Sequence, residues 1–173
     1  MTFLATSLAL LERTPAVLRA TLAGLPNEWL HADEGAGTWS AYVVMGHLIH
    51  GERTDWMPRV RHLLAHGETL AFPPFDREAQ FQEIADRPVE ALLDEFAGLR
   101  EQSLEQLQAL DFAEADLERP GLHPALGPVT LRQLLATWTA HDQAHLVQIH
   151  RVFARRYERE VGPWAQYLSV MRR

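Results

Sequence analysis

His141 and His145 stand one helical turn apart in TLRQLLATWTAHDQAHLVQIHRVFARRY, residues 130–157. Side chains four residues apart on a helix project side by side, so H-x-x-x-H is a ready pair of metal ligands. At about 100° per residue, Leu134, His141, His145, Gln148 and Val152 share one narrow stripe that is otherwise apolar and core-facing. Two partly buried histidines, each bonded to a backbone carbonyl, are the plainer alternative. An open metal site needs a third protein ligand, and a structural zinc needs a fourth. His47 is the best candidate for the third, because it sits mid-helix among Val43, Val44 and Leu48, where a solvated imidazole is out of place. His50 competes with it from about 60° around the same helix. His31, His62, His66 and His123 fall in loops or near helix ends and read as surface residues, as does His150, about 140° off the stripe. For proton transfer, Glu52 and Asp55 are the available acids. Asp142 lies about 100° round the helix from His141 and is expected to cap a neighbour or face a loop. Gln148 is on the stripe but cannot transfer a proton.

The elements that must position these residues are helical. Thr130 and Gln133 form a T-x-x-Q capping box, and nothing from there to Tyr157 breaks a helix. Ser40 is a good N-cap for a second helix, SAYVVMGHLIHGERTDW, which carries His47. Pro58 fits the first turn of a restarted helix capped near Asp55 and running to Gly67. Leu4, Leu8, Leu11, Leu18, Leu22 and Leu25 mark a first amphipathic helix with a kink or restart at Thr14-Pro15. Asp76 caps a short helical piece, and Pro88 starts another long helix, VEALLDEFAGLREQSLEQLQAL. GLHPALGPV reads as a long loop. Four long amphipathic helices without alternating strand patterns give an all-α bundle.

With 173 residues and 47% hydrophobic content, the chain suits one globular domain spanning 1–173. A net charge of −7, from 16 basic and 23 acidic residues, argues against nucleic-acid binding through a general positive field. Arg151, Arg155, Arg156 and Arg159 form one local basic patch. The chain has no cysteine, which excludes disulfides, thiolate zinc sites and a cysteine nucleophile, and leaves its nine histidines as the obvious ligands for a borderline metal. MTFLATSLALLER lacks the basic start and cleavage site of a signal peptide, and no apolar run is long enough for a membrane span. A cytoplasmic location is expected. Trp56, Phe72, Phe75 and Trp164 are large residues that an exposed face would use for self-association, or equally that a loop would cover as core.

TWSAYVVMGHLIHGERTDW and ATWTAHDQAHLVQIHRV, with the tail RRYEREVGPWAQYL, resemble the DinB/YfiT-like superfamily in order and spacing over nearly the whole chain. The resemblance implies an all-α, DinB-like four-helix bundle, often a homodimer. It implies a metal triad with one histidine from the second helix and two from the fourth, which falls on His47, His141 and His145. It further implies a divalent metal, Zn²⁺ or Ni²⁺, and a small-molecule substrate, in a hydrolase or a thiol S-transferase using a low-molecular-weight thiol. A non-catalytic, stress-related metal-binding bundle is the alternative.

Overall fold

The Ser40 cap and the Thr130–Gln133 box form in the computed structural model, which describes residues 2–171. Asp76 accepts from the Glu78 and Ala79 amides, whereas the Asp55 side chain makes no capping bond. Residues 1, 172 and 173 of the expected domain lie outside the described residues. The Ser40 hydroxyl accepts from the Val43 amide and starts helix α4 (Ala41–Thr54). Thr130 and Gln133 cap each other's backbone and start α8 (Leu131–Arg155), the longest helix described. The first amphipathic stretch is two helices, α1 (Phe3–Leu11) and α2 (Thr14–Leu22), broken just before Pro15, whose missing amide proton is harmless in a first turn. After a short α3 (Asn27–Leu30) and α4 come α5 (Trp56–His66), α6 (Ala79–Glu83), α7 (Val89–Ala109) and, beyond α8, α9 (Glu158–Val161).

Four rods result: α1–α2, α4–α5, α7 and α8. Helix α4 is central, packing against α7, α6, α5 and α8, while α1 lies on α8 and α2 on α7. One core cluster gathers Val44, Met45, Leu48, Leu92, Phe96 and Ile149. The other gathers Leu11, Met57, Val60, Leu107, Leu135 and Trp138. Trp56 and Phe72 belong to that second core, 4% and 2% exposed, so they are not surface residues available for self-association. Trp164 is 71% exposed. Among the described residues no helix is long and apolar enough to cross a membrane.

The stretch expected as a loop before α8 is a small antiparallel hairpin, β1 (Pro120–His123) and β2 (Gly127–Thr130). Its turn is closed by a side chain: His123 Nδ1 accepts from the amides of Ala125 and Leu126, at 3.1 and 3.2 Å. Gly127 has φ +77°, which a residue with a Cβ adopts only at a cost. The hairpin also holds the chain that follows α5, because the Phe72 amide donates to the Leu122 carbonyl at 2.9 Å.

The rods are joined at the centre by a buried ion cluster. Arg100 of α7, 1% exposed, donates through Nε and Nη2 to Glu52 Oε1 of α4 at 3.0 and 2.8 Å. Its Nη1 and Nη2 reach the two Asp142 oxygens of α8 at 2.6 and 3.1 Å. Nη1 also donates to the Leu11 carbonyl at the end of α1, at 2.9 Å. All five guanidinium protons are thereby used. Asp142 is therefore neither a cap nor a loop-facing residue. It is 1% exposed, because the position 100° from the histidine stripe also faces the core. Arg100→Leu should cost about 3–5 kcal/mol, since it leaves two carboxylates buried without a counter-charge. Urea unfolding followed by circular dichroism checks this, and an unchanged midpoint would show that the cluster does not hold the bundle.

Candidate metal centre

α4 and α8 cross so that His47, His141 and His145 meet. One nitrogen from each ring lies within 4.8 Å of the others. His47 Nε2 is 2.9 Å from His141 Nε2, and His145 Nε2 is 3.1 Å from it. The far nitrogens are held from behind. His47 Nδ1 lies 2.9 Å from Gln80 Oε1, and His145 Nδ1 lies 2.9 Å from Gln148 Oε1. An amide oxygen only accepts, so both Nδ1 atoms carry the proton and both Nε2 atoms present a lone pair to the centre. Gln148 thus has a role that its place on the stripe suggested but did not define: it fixes the tautomer of His145, one turn away.

Gln80 comes from α6, and a glycine lets it in. A Cβ on Gly46 would lie 2.5 Å from Ile84 Cγ2 and 3.2 Å from the Gln80 carbonyl oxygen. Only a helix surface without a side chain at that point allows α6 to lie flat on α4 beside His47. Nothing in the histidine spacing signals Gln80, since it is 33 residues from its partner. His50 is buried too, 6% exposed, but its ring packs against Phe75 at 5.0 Å and is not in the triad. His150 is exposed, as expected.

The imidazoles are kept neutral. Burial is the largest cause, and neighbouring histidine charge adds to it: His47 is lowered to about 4 and His141 to about 3. His145 is also lowered by burial, against the pull of Gln148 and Asp142. Aromatic rings complete the surround. Trp39 lies 4.9 Å from the His47 ring, and Trp56 lies 5.0 Å edge-on to His141.

One side of the triad is open. His47, His141 and His145 line a cavity of about 630 Å³, within the size range of small-molecule sites. Asp55 and Arg59 of the α4–α5 junction, Arg77 before α6 and His123 of the hairpin line it as well. His123 is thus a wall residue of this cavity, brought there by a hairpin that the sequence pattern did not show. Of the two acids considered for proton transfer, Glu52 is committed to Arg100 and to Trp138 Nε1, 3.1 Å away. Asp55 does line the cavity, its carboxyl pushed up by burial despite Arg59, whose Nε is 2.6 Å away. The basic patch of α8 is spent in part on structure: Arg151 and Arg155 both pair with Glu34.

Residues 10–149 match the DinB superfamily. The chain belongs to that superfamily. Among relatives of this DinB chain, a protein of Oceanobacillus iheyensis named "Putative metal-dependent hydrolase OB0782" is 26% identical over 141 residues, 80% of this chain and 79% of its own. Among solved structures, YfiT from Bacillus subtilis matches with a TM-score of 0.74 over 87% of this chain and 86% of its own, at 20% identity. YfiT is described as a probable metal-dependent hydrolase with an unusual four-helix bundle topology. At that identity the likeness is one of fold, and it places this DinB chain in the four-helix-bundle class that the amphipathic pattern implied.

The lowered imidazoles set the pH response of the metal-free protein. An unfolded chain takes up protons on these histidines from about pH 6.5 downward. The folded chain resists until about 4 at His47 and about 3 at His141. Over that interval the unfolded state binds more protons on these rings, so their contribution to stability falls as pH falls, and levels off below it. Urea midpoints of chelator-treated protein between pH 7.5 and 4 should show this loss, and His141→Gln should show less of it. Equal pH slopes in the two proteins would contradict the assignment.

Proposed function

We propose that this chain is a divalent-metal-dependent enzyme acting on a small molecule, with His47, His141 and His145 as the protein ligands. The observation that carries the reading is the convergence of the three Nε2 atoms, two of them with tautomers fixed by Gln80 and Gln148. A ligating histidine that donates its other ring proton to a carbonyl oxygen is the usual supporting arrangement. The spacing fits as well. Nitrogens bound to zinc at about 2.0–2.1 Å in a tetrahedron stand roughly 3.3 Å apart, a few tenths of an ångström wider than the 2.9 and 3.1 Å spacings to His141. Burial that keeps the rings neutral favours the ion over protons.

A purely structural ion needs four closed ligands, whereas three histidines beside an open cavity leave room for water or substrate. This supports the enzyme over the non-catalytic bundle. A divalent ion held there supplies Lewis acidity, able to acidify water or a thiol. The chain's own residues do the rest. Trp39, Trp56 and Phe75 exclude bulk solvent from the inner end. Asp55, with its raised pKa and its place on the wall, is the group that takes up or gives a proton. Hydrolysis is the reaction best supported, because both relatives are named for it. Thiol S-transfer at the same centre needs an external thiol, since the chain has no cysteine. The reading keeps residues 1–173 as one cytoplasmic domain and retains a homodimer, for which Trp164 and Tyr167, 71% and 76% exposed, offer apolar surface.

Metal analysis of untagged protein tests the centre. Wild type should hold about one equivalent of Zn²⁺ or Ni²⁺, and Ala at His47, His141 or His145 should abolish tight binding, because two imidazoles make a poor site. His50→Ala should keep the metal, its ring being turned to Phe75. Retention of metal by all three triad variants would remove the centre. Hydrolysis of activated esters and amides, with and without added small thiols, then separates the two reactions.

A further inference from the structure

The cavity that the triad opens into has two chemical halves. One is apolar: Trp39, Trp56, Phe72, Phe75 and Leu126 line it, and Leu126 at the hairpin turn is 75% exposed. The other carries two arginines in a protein whose net charge is −7. These arginines differ. Arg59 is neutralised, its Nε 2.6 Å from Asp55 Oδ1 and its guanidinium 5.4 Å over the Phe72 ring. Arg77 makes no ion pair or hydrogen bond among the described residues, although it lines the same wall. Arg19, Arg53, Arg87, Arg119, Arg132 and Arg151 all pair with an acid. Arg13 and Arg61 bond to the Ala9 carbonyl and to Gln106, and Arg156 lies over the Trp29 ring, but none of these lines the cavity.

We propose that the cavity takes an organic anion with an apolar body, its carboxylate or phosphate seated on Arg77 and its apolar part along Trp39, Phe75 and Leu126. A solvated surface arginine is the plain reading of an exposed cation. It does not account for a guanidinium kept without an acid on the wall of a cavity whose floor is three neutral imidazoles. The charge count points the same way. Asp55 offsets Arg59, and the shift at His123, lowered by burial and then by Arg59, keeps that ring neutral. The wall therefore carries a net positive charge from Arg77, before any cation is bound at the histidines. Arg77 is also near enough to the centre to be felt there: after burial and His145, its charge is among the smaller causes lowering His47. A planar guanidinium with free donors binds a carboxylate or a phosphate in two-pronged fashion. The 630 Å³ volume admits a drug-sized molecule rather than an inorganic ion alone.

The inference deepens the proposed function, on which it rests, by naming the substrate class. Its test separates the two. Binding of benzoate, phenyl phosphate and neutral benzamide is measured by titration calorimetry on chelator-treated and on zinc-loaded protein, for wild type, Arg77→Gln and Arg77→Lys. Arg77 is exposed, so the variants should fold, and melting curves check this. The expected result is that metal-free wild type binds benzoate or phenyl phosphate about tenfold or more tighter than benzamide, as one charge-assisted contact allows. Arg77→Gln should lose that preference, Arg77→Lys should keep part of it, and zinc content should be unchanged in both. Which of the two anions binds better identifies the headgroup. The proposal is overturned if metal-free wild type does not prefer either anion, or if Arg77→Gln binds them as wild type does. Anion binding that appears only with zinc and survives Arg77→Gln also overturns it. Loss of zinc binding altogether would strike the metal centre and leave the anion result standing.

Discussion

Everything at the centre of this bundle leans on Arg100. A guanidinium 1% exposed would be intolerable alone, and it is tolerable here because Glu52, Asp142 and the Leu11 carbonyl take all five of its protons. Burial opposes its charge, and Asp142 and Glu52 more than offset that. The two acids are neighbours of the histidines in sequence: Asp142 follows His141, and Glu52 comes five residues after His47. The ion cluster and the triad are therefore two levels of one crossing between α4 and α8. Arg100 fixes how the helices meet, and the imidazoles inherit the alignment. Such a cluster adds little net stability over an apolar core, while removing one partner from it is costly.

Much of this could be read before any coordinates. Helix starts were legible where a side chain states them: Ser40, and Thr130 with Gln133, behave as their types require. The triad was legible in part because helical spacing is rigid; residues four apart must sit side by side. The choice of His47 over His50 rested on an apolar neighbourhood and on resemblance, and the structure brings His47 to the other two while turning His50 towards Phe75.

What was not legible came from distant parts of the chain. Gln80, Arg77 and His123 reach the site from a short helix, a loop and a hairpin, none of which has a periodic pattern to read. The hairpin's strands are four residues each, too short to alternate visibly, and Gly and Pro within them look like loop. Whether Trp56 and Phe72 are surface or core is not readable in the sequence, because nothing local shows that the hairpin and α8 cover them. Asp142 was misplaced for a related reason. The angle from His141 was right, but that face of α8 meets a partner whose charge only the three-dimensional packing supplies.

One feature reaches further than its size suggests. The stretch between α5 and α7 holds Phe72, Phe75, Arg77 and Gln80 together. It is pinned at one end by the Phe72–Leu122 bond and at the other by α6 against Gly46 and by the Tyr42 hydroxyl on the Ile84 and Arg87 carbonyls. The cavity wall, its free guanidinium and the lock on His47 therefore ride on a single strap. A substitution anywhere along it therefore reaches entrance, charge and tautomer control together, without touching the four rods, because Phe72, Gln80 and Ile84 anchor all three through the same buried contacts.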